Sequence, residues 1–243
     1  MMKVSQLPYQ RVRLEEIQRV MDDVIERIKA ASCPADVLAA REDYLKLSLE
    51  FYTACSLAYM RYSINTADSF YLAENDYYDE IGPAVGNYDA QYAAALLDSP
   101  FRPALETALS PVLFLSMDVK RRAMSERIVP DMVEENRLIS EYSRLMSGME
   151  FEFRGEKLPR PMLMKHLKSS DRALRREAME VLGRTLEANS ARLDGIYDQM
   201  VRVRHRMARK MGYKNFVELG YHRMGRLCYD QEKVAAFRQN VKN

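Results

Sequence analysis

Residues that turn a chain are scarce here, and that scarcity nearly decides the fold class. Nine glycines and nine prolines stand among 243 residues, about 7% where ordinary usage gives about 12%. A β-sandwich or barrel needs a tight turn every 8 to 12 residues or so, and this chain cannot supply them. Helices must dominate. With 47% hydrophobic and 30% charged residues, there is enough apolar surface to offset the entropy of ordering, so the expectation is a folded, soluble, mostly α protein.

The apolar spacing agrees. Leu14, Ile17, Met21, Val24 and Ile28 recur at three and four residues and form one helical stripe. Ser32-Cys33-Pro34 closes that element and opens the next, with Asp36 complementing the positive end of the helix dipole. Tyr44, Leu47, Phe51, Cys55, Ala58 and Tyr62 then keep helical phase over more than five turns. Asn65-Thr66 interrupts, and Phe70 to Ile81 resume until Gly82-Pro83, which predicts a stop. Further breaks are expected at Ser99-Pro100, Ser110-Pro111, Pro130 and Gly148, with Asp131 as the polar start of a helix carrying Met132, Glu135, Leu138, Tyr142 and Leu145.

One segment changes period. Met149, Phe151 and Phe153 alternate with Glu150, Glu152 and Arg154 before Gly155, a strand and hairpin signal. Beyond it, Asp171 caps a helix to about Glu187, a longer one runs from about Ser190 to Met211 and ends at Gly212, and Asn215 and Asp230 cap two more. The last of these reaches Asn243 without a stop signal, as expected of a chain cut inside a helix.

The usual catalytic signatures are missing. His166, His205 and His222 belong to no H-E-x-x-H, and no phosphate-cradling glycine loop or G-x-S-x-G elbow occurs. Cys33, Cys55 and Cys228 are far apart, without C-x-x-C, and fit a reducing cytoplasm. No stretch approaches the 18 or so apolar residues of a membrane span. Glu218 and His222, four apart, read as a surface pair. Glu74, Asp76, Asp79 and Glu80 lack the glycine and spacing of a calcium loop and read as a solvated helix face.

Charge is uneven along the chain: residues 1–120 hold 11 basic and 18 acidic groups, residues 121–243 hold 26 and 17. Projection of Leu193 to Met211 at about 100° per residue places Leu193, Ile196, Tyr197, Met200, Met207 and Met211 on one face, with Arg204 in the middle of it. Arg202, Arg206, Arg209 and Lys210 fall on the opposite side and read as facing water. A guanidinium in an apolar stripe must be paired or open onto a cavity. Arg204 is therefore either one half of an ion pair with an acidic residue of the first half, or a cleft residue that meets a substrate carboxylate or carbonyl. The basic face lacks interleaved aromatics and any nucleic-acid motif, so nucleic acid is not an expected partner.

As strings, four blocks say more: YSINTADSFYLAENDYYDEIGP (Tyr62 to Pro83), EENRLISEYSRLMSGMEFEFRGEKL (Glu134 to Leu158), SSDRALRREAMEVL (Ser169 to Leu182) and LDGIYDQMVRVRHRMARKMGYKNFVELGYHRMGRLCYD (Leu193 to Asp230). They resemble the N-terminal half of M3 family oligoendopeptidases, the oligoendopeptidase F-like zinc metallopeptidases. The last block is the most specific, with a basic helix, G-Y-x-N-F-x-E-L-G-Y and R-M-x-R in that order.

The resemblance implies a multi-helix half of a clam-shell fold that encloses a channel, with one small β-hairpin near 149–158. It covers residues 1–243 as one region, roughly long antiparallel helices over 1–98 and helices plus hairpin over 99–243. It also implies a zinc held by the two histidines of H-E-x-x-H and a more distant glutamate, while the motif's own glutamate serves as general base on the metal-bound water. None of these residues can be carried onto this chain, so no catalytic and no metal-binding residue is assigned, and zinc is expected only in the full-length protein. The expectation is a cytoplasmic channel wall that contacts short peptides, neither membrane nor nucleic acid, and that is inactive and prone to self-association by itself. A non-catalytic helical interaction scaffold is the alternative.

Overall fold

The computed structural model describes residues 6–242. Eleven α-helices and one hairpin follow in order among the described residues: α1 (Leu14–Ala30), α2 (Pro34–Ile64), α3 (Ser69–Leu97), α4 (Arg102–Ala108), α5 (Pro111–Ala123), α6 (Val129–Ser147), β1 (Glu150–Phe153), β2 (Glu156–Pro159), α7 (Arg160–His166), α8 (Arg172–Ala188), α9 (Ser190–Lys210), α10 (Phe216–Arg223) and α11 (Gln231–Lys242). The chain divides into two compact units, one of residues 1–133 and 205–243, the other of 134–204. The divisions fall within α6 and within α9.

In the first unit, α1 buries Ile17, Met21, Val24, Ile25 and Ile28 against α2 and α3, each worth about 1.5–3 kcal/mol of transfer free energy. The start of α2 is fixed by a capping box in which Asp36 accepts from the backbone of Cys33, with Pro34 in the first turn. Tyr44 of α2 stacks on Tyr92 of α3, with centroids 3.7 Å apart, and the core continues through Leu96, Leu105 and Phe114. A smaller cluster joins Ile128, Met207, Ala208 and Leu219.

Two expectations fail here. Gly82-Pro83 does not stop α3, which runs on to Leu97 with Pro83 buried inside it. Proline normally excludes helix from its predecessor by clashing with that residue's Cβ; Gly82 has none. The residues on either side, Ile81, Val85, Tyr92 and Leu96, bury against the other helices and outweigh the lost hydrogen bond. Nor is the acidic run of α3 wholly solvated. Glu74 is 3% exposed, accepts from Arg11 Nε at 2.9 Å and from Tyr9, and is held below the usual carboxylate range, chiefly by Arg11. This pins residues 9–12 to α3, where Tyr77 and Tyr78 also hydrogen-bond the backbone of Val12 and Leu14.

The second unit is built on the hairpin. Phe151 and Phe153 turn inward while Glu150 and Glu152 face water, as the alternation requires. Arg154 and Gly155 occupy the two turn positions with φ of 54° and 83°, a conformation that favours glycine. The inner face packs with Leu138, Leu145, Leu163, Ala178, Val181, Ile196 and Val203. Helix α7, absent from the sequence reading, supplies Leu163 and is only seven residues long.

Candidate functional site

Helix α9 bears the one residue singled out for a site. Its inward positions are Ile196, Val203, Met207 and Ala208, whereas Tyr197, placed on the apolar face by projection, is exposed. Arg204 does lie beside that face, and it is paired. Its Nε donates to Oε1 of Glu135 at 2.7 Å. Glu135 is only 2% exposed while the arginine side chain keeps 39% of its surface. The partner therefore comes from α6, in the second half of the sequence, rather than from the acidic first half. A buried carboxylate needs such a partner, because a stranded charge costs several kcal/mol, and a planar guanidinium supplies it in fixed geometry.

One turn earlier on α6, Asp131 is 5% exposed and takes two cations, Arg206 Nε at 2.6 Å and Lys210 Nζ at 2.5 Å. Burial opposes its charged form, but the bonds from Lys210 and Arg206 outweigh that and hold the carboxyl below the usual range. Arg206 and Lys210 are thus not simply water-facing. Their aliphatic stems carry the charge back to a buried acid, with about two-fifths of each side chain left in solvent. Arg202 does face water, paired with Asp198 on its own helix. Matching the i,i+4 spacing of the two helices would not have shown this, since Asp131 takes both Arg206 and Lys210 while Glu135 takes Arg204.

Among the described residues no group of three or more His, Cys, Asp or Glu could hold a metal ion. His166 packs on Phe153 and His222 on Tyr213, with centroids 4.7 and 5.8 Å apart. Glu218 forms no ion pair with His222 among the described residues. The donor set does not fit zinc, and no step through a zinc ion is assigned to these residues.

Comparison with known proteins identifies the architecture. Residues 4–124 match the peptidase M3 N-terminal domain. A crystal structure provisionally named oligoendopeptidase F is 34% identical and superimposes over all of this chain with a TM-score of 0.96. The chain is the N-terminal portion of an M3 oligoendopeptidase fold. PZ peptidase A with an inhibitor is similar at 36% identity over 98% of this chain, TM-score 0.95. A provisional oligoendopeptidase F from Bacillus anthracis str. Ames is similar at 34% over 98%, TM-score 0.94. No curated protein gives a significant sequence match. The chain spans about two-fifths of the solved structures it matches, 43%, 42% and 44% of their lengths. For this M3 portion the mostly helical fold and the hairpin are as expected, and no described helix is long and apolar enough to cross a membrane.

Proposed function

We propose that this M3 portion forms a channel wall in a zinc-dependent oligoendopeptidase that hydrolyses short peptides, and that it supplies shape and polar contacts rather than the hydrolytic step. The observation that carries this reading is the whole-chain likeness to peptidases at 34–36% identity, together with a donor set that offers zinc no seat among the described residues. The zinc and its ligands then belong to polypeptide outside these 243 residues, and residues 1–243 alone are inactive.

In this reading the paired acids of α6 fix the cations of α9 in place. Arg204 is the cation that α9 presents to peptide: its Nε is engaged by Glu135, 39% of its side-chain surface stays in solvent, and a guanidinium suits a carbonyl or carboxylate. The cytoplasm is the compartment assigned, in keeping with three cysteines present as thiols. Helix α2 carries a second apolar stripe in solvent, Leu45, Leu49, Tyr52, Tyr59 and Ile64, which supports self-association of residues 1–243.

The reading frame past codon 243 tests the proposal. An in-frame H-E-x-x-H supports it, and an immediate stop favours a non-catalytic helical scaffold instead.

A further inference from the structure

The R-M-x-R sequence of residues 223–226 begins at the last residue of α10, and its geometry is specific. Helix α10 ends in a Schellman cap: Gly225, at φ 63°, donates its N–H to His222 O at 2.9 Å, and Arg226 N reaches Tyr221 O at 3.5 Å. This cap turns Arg226 back over its own helix, with its guanidinium carbon 4.1 Å from the Tyr221 ring centroid. A second ring comes from the next element. Asp230 caps α11 by accepting from Lys233 N, and the preceding Tyr229 is held 5.0 Å from the same guanidinium. The cation thus has two tyrosine rings within 5.0 Å, each a favourable cation–π partner.

Its hydrogen-bonding edge is uncommitted. No carboxylate lies within ion-pair distance of Arg226 among the described residues, unlike Arg11, Arg122, Arg204 and Arg206. The other cations nearby are engaged: Arg122 with Asp118, and Lys233 Nζ with Cys228 O. Arg226 lines a cavity of about 680 Å³ together with Arg122, Tyr221 and Tyr229, and with the acids Glu218, Asp230 and Glu232. That volume is ordinary for a small-ligand or peptide-end subsite; its lining carries acids as well as cations, and Arg226 is the arginine there without a carboxylate partner among the described residues.

We infer that this cavity is a peptide carboxylate subsite in which Arg226, resting against Tyr221 and Tyr229, forms a bidentate bond to the carboxylate of a short peptide. The inference rests on the peptide-channel reading above. A guanidinium resting on aromatic rings loses less freedom on pairing than one free in water, and its fork matches the two carboxylate oxygens.

Fluorescence anisotropy on residues 1–243 tests it, with pentaalanine carrying an N-terminal fluorophore as free acid, as C-terminal amide, and as an amide with one internal glutamate. A carboxylate-bearing form is expected to bind about tenfold or more tighter than the plain amide. Arg226→Gln should abolish the preference, Tyr229→Leu should weaken it, and Arg226→Lys should keep only part, with the helical circular dichroism of each variant unchanged. The free-acid and glutamate arms show which carboxylate is taken. Equal binding of acid and amide, or a preference that survives Arg226→Gln, overturns the subsite and leaves the peptide channel standing. No binding of any form counts against both.

Discussion

Asp131→Asn is the most informative single change, because it removes a charge and almost no volume. The carboxylate accepts from Arg206 at 2.6 Å and Lys210 at 2.5 Å while itself nearly buried. Charge-assisted hydrogen bonds contribute roughly 1.5–3 kcal/mol each when desolvated. Here the cations keep 43% and 40% of their side-chain surface in solvent, so water takes over part of the loss. The amide oxygen also retains one neutral bond. The expected cost is about 2 kcal/mol, or roughly 4–8 °C in melting temperature for a chain of this size.

The assay is thermal denaturation by circular dichroism at 222 nm across pH. Because the folded carboxyl lies below its ordinary value, its stabilisation is fully present above the unfolded pKa of about 3.9 and is lost as pH falls through the folded one. The gap between the two proteins should therefore be constant from pH 7 to 5 and narrow progressively as pH falls below about 4. Asp198→Asn, at an exposed pair with Arg202, should cost about 0.5 kcal/mol or less. A gap at pH 7 no larger than that control, or one that does not narrow on acidification below pH 5, would refute the reasoning.

Other outcomes follow from the same structure. Phe151→Ala, at a fully buried strand position, should cost about 3–5 kcal/mol in urea unfolding of the 134–204 unit. Gly155→Ala forces a side chain into φ 83° and should cost about 1 kcal/mol by the same measurement. Asp89 behaves oppositely to Asp131: burial raises its carboxyl despite bonds from Tyr52 and Tyr44 at 2.7 and 3.2 Å. Asp89→Asn should therefore be within about 1 kcal/mol of the parent at pH 7. The parent should gain on it as pH falls toward 4, since a raised folded pKa favours the protonated native state; a parent that loses stability relative to Asp89→Asn on acidification would contradict this.

Most of the helical order was legible because it rests on spacing and caps that act locally. The stripe of α1, the Pro34 start of α2, the Asp171 cap of α8 and the alternation at Phe151 and Phe153 need no knowledge of distant residues. The errors lie where tertiary contacts overrule local signals. Pro83 was expected to stop α3, but burial on both sides and a glycine before it carried the helix through. Glu74 was read as solvated because Arg11, its partner, is 63 residues away. Arg206 and Lys210 were assigned to water because projection ranks Cα positions, whereas their long side chains reach back to Asp131. Helix α7 was missed because seven residues are too few to show a period. Arg204 was legible as a cation beside an apolar face, but its partner Glu135 was not.

The account stands or falls on whether hydrolytic chemistry resides in these residues. Purified residues 1–243, incubated with a quenched fluorogenic oligopeptide with and without added zinc, should release no fluorescence above a protein-free blank. Cleavage that proceeds in this material and stops on addition of a chelator would contradict it.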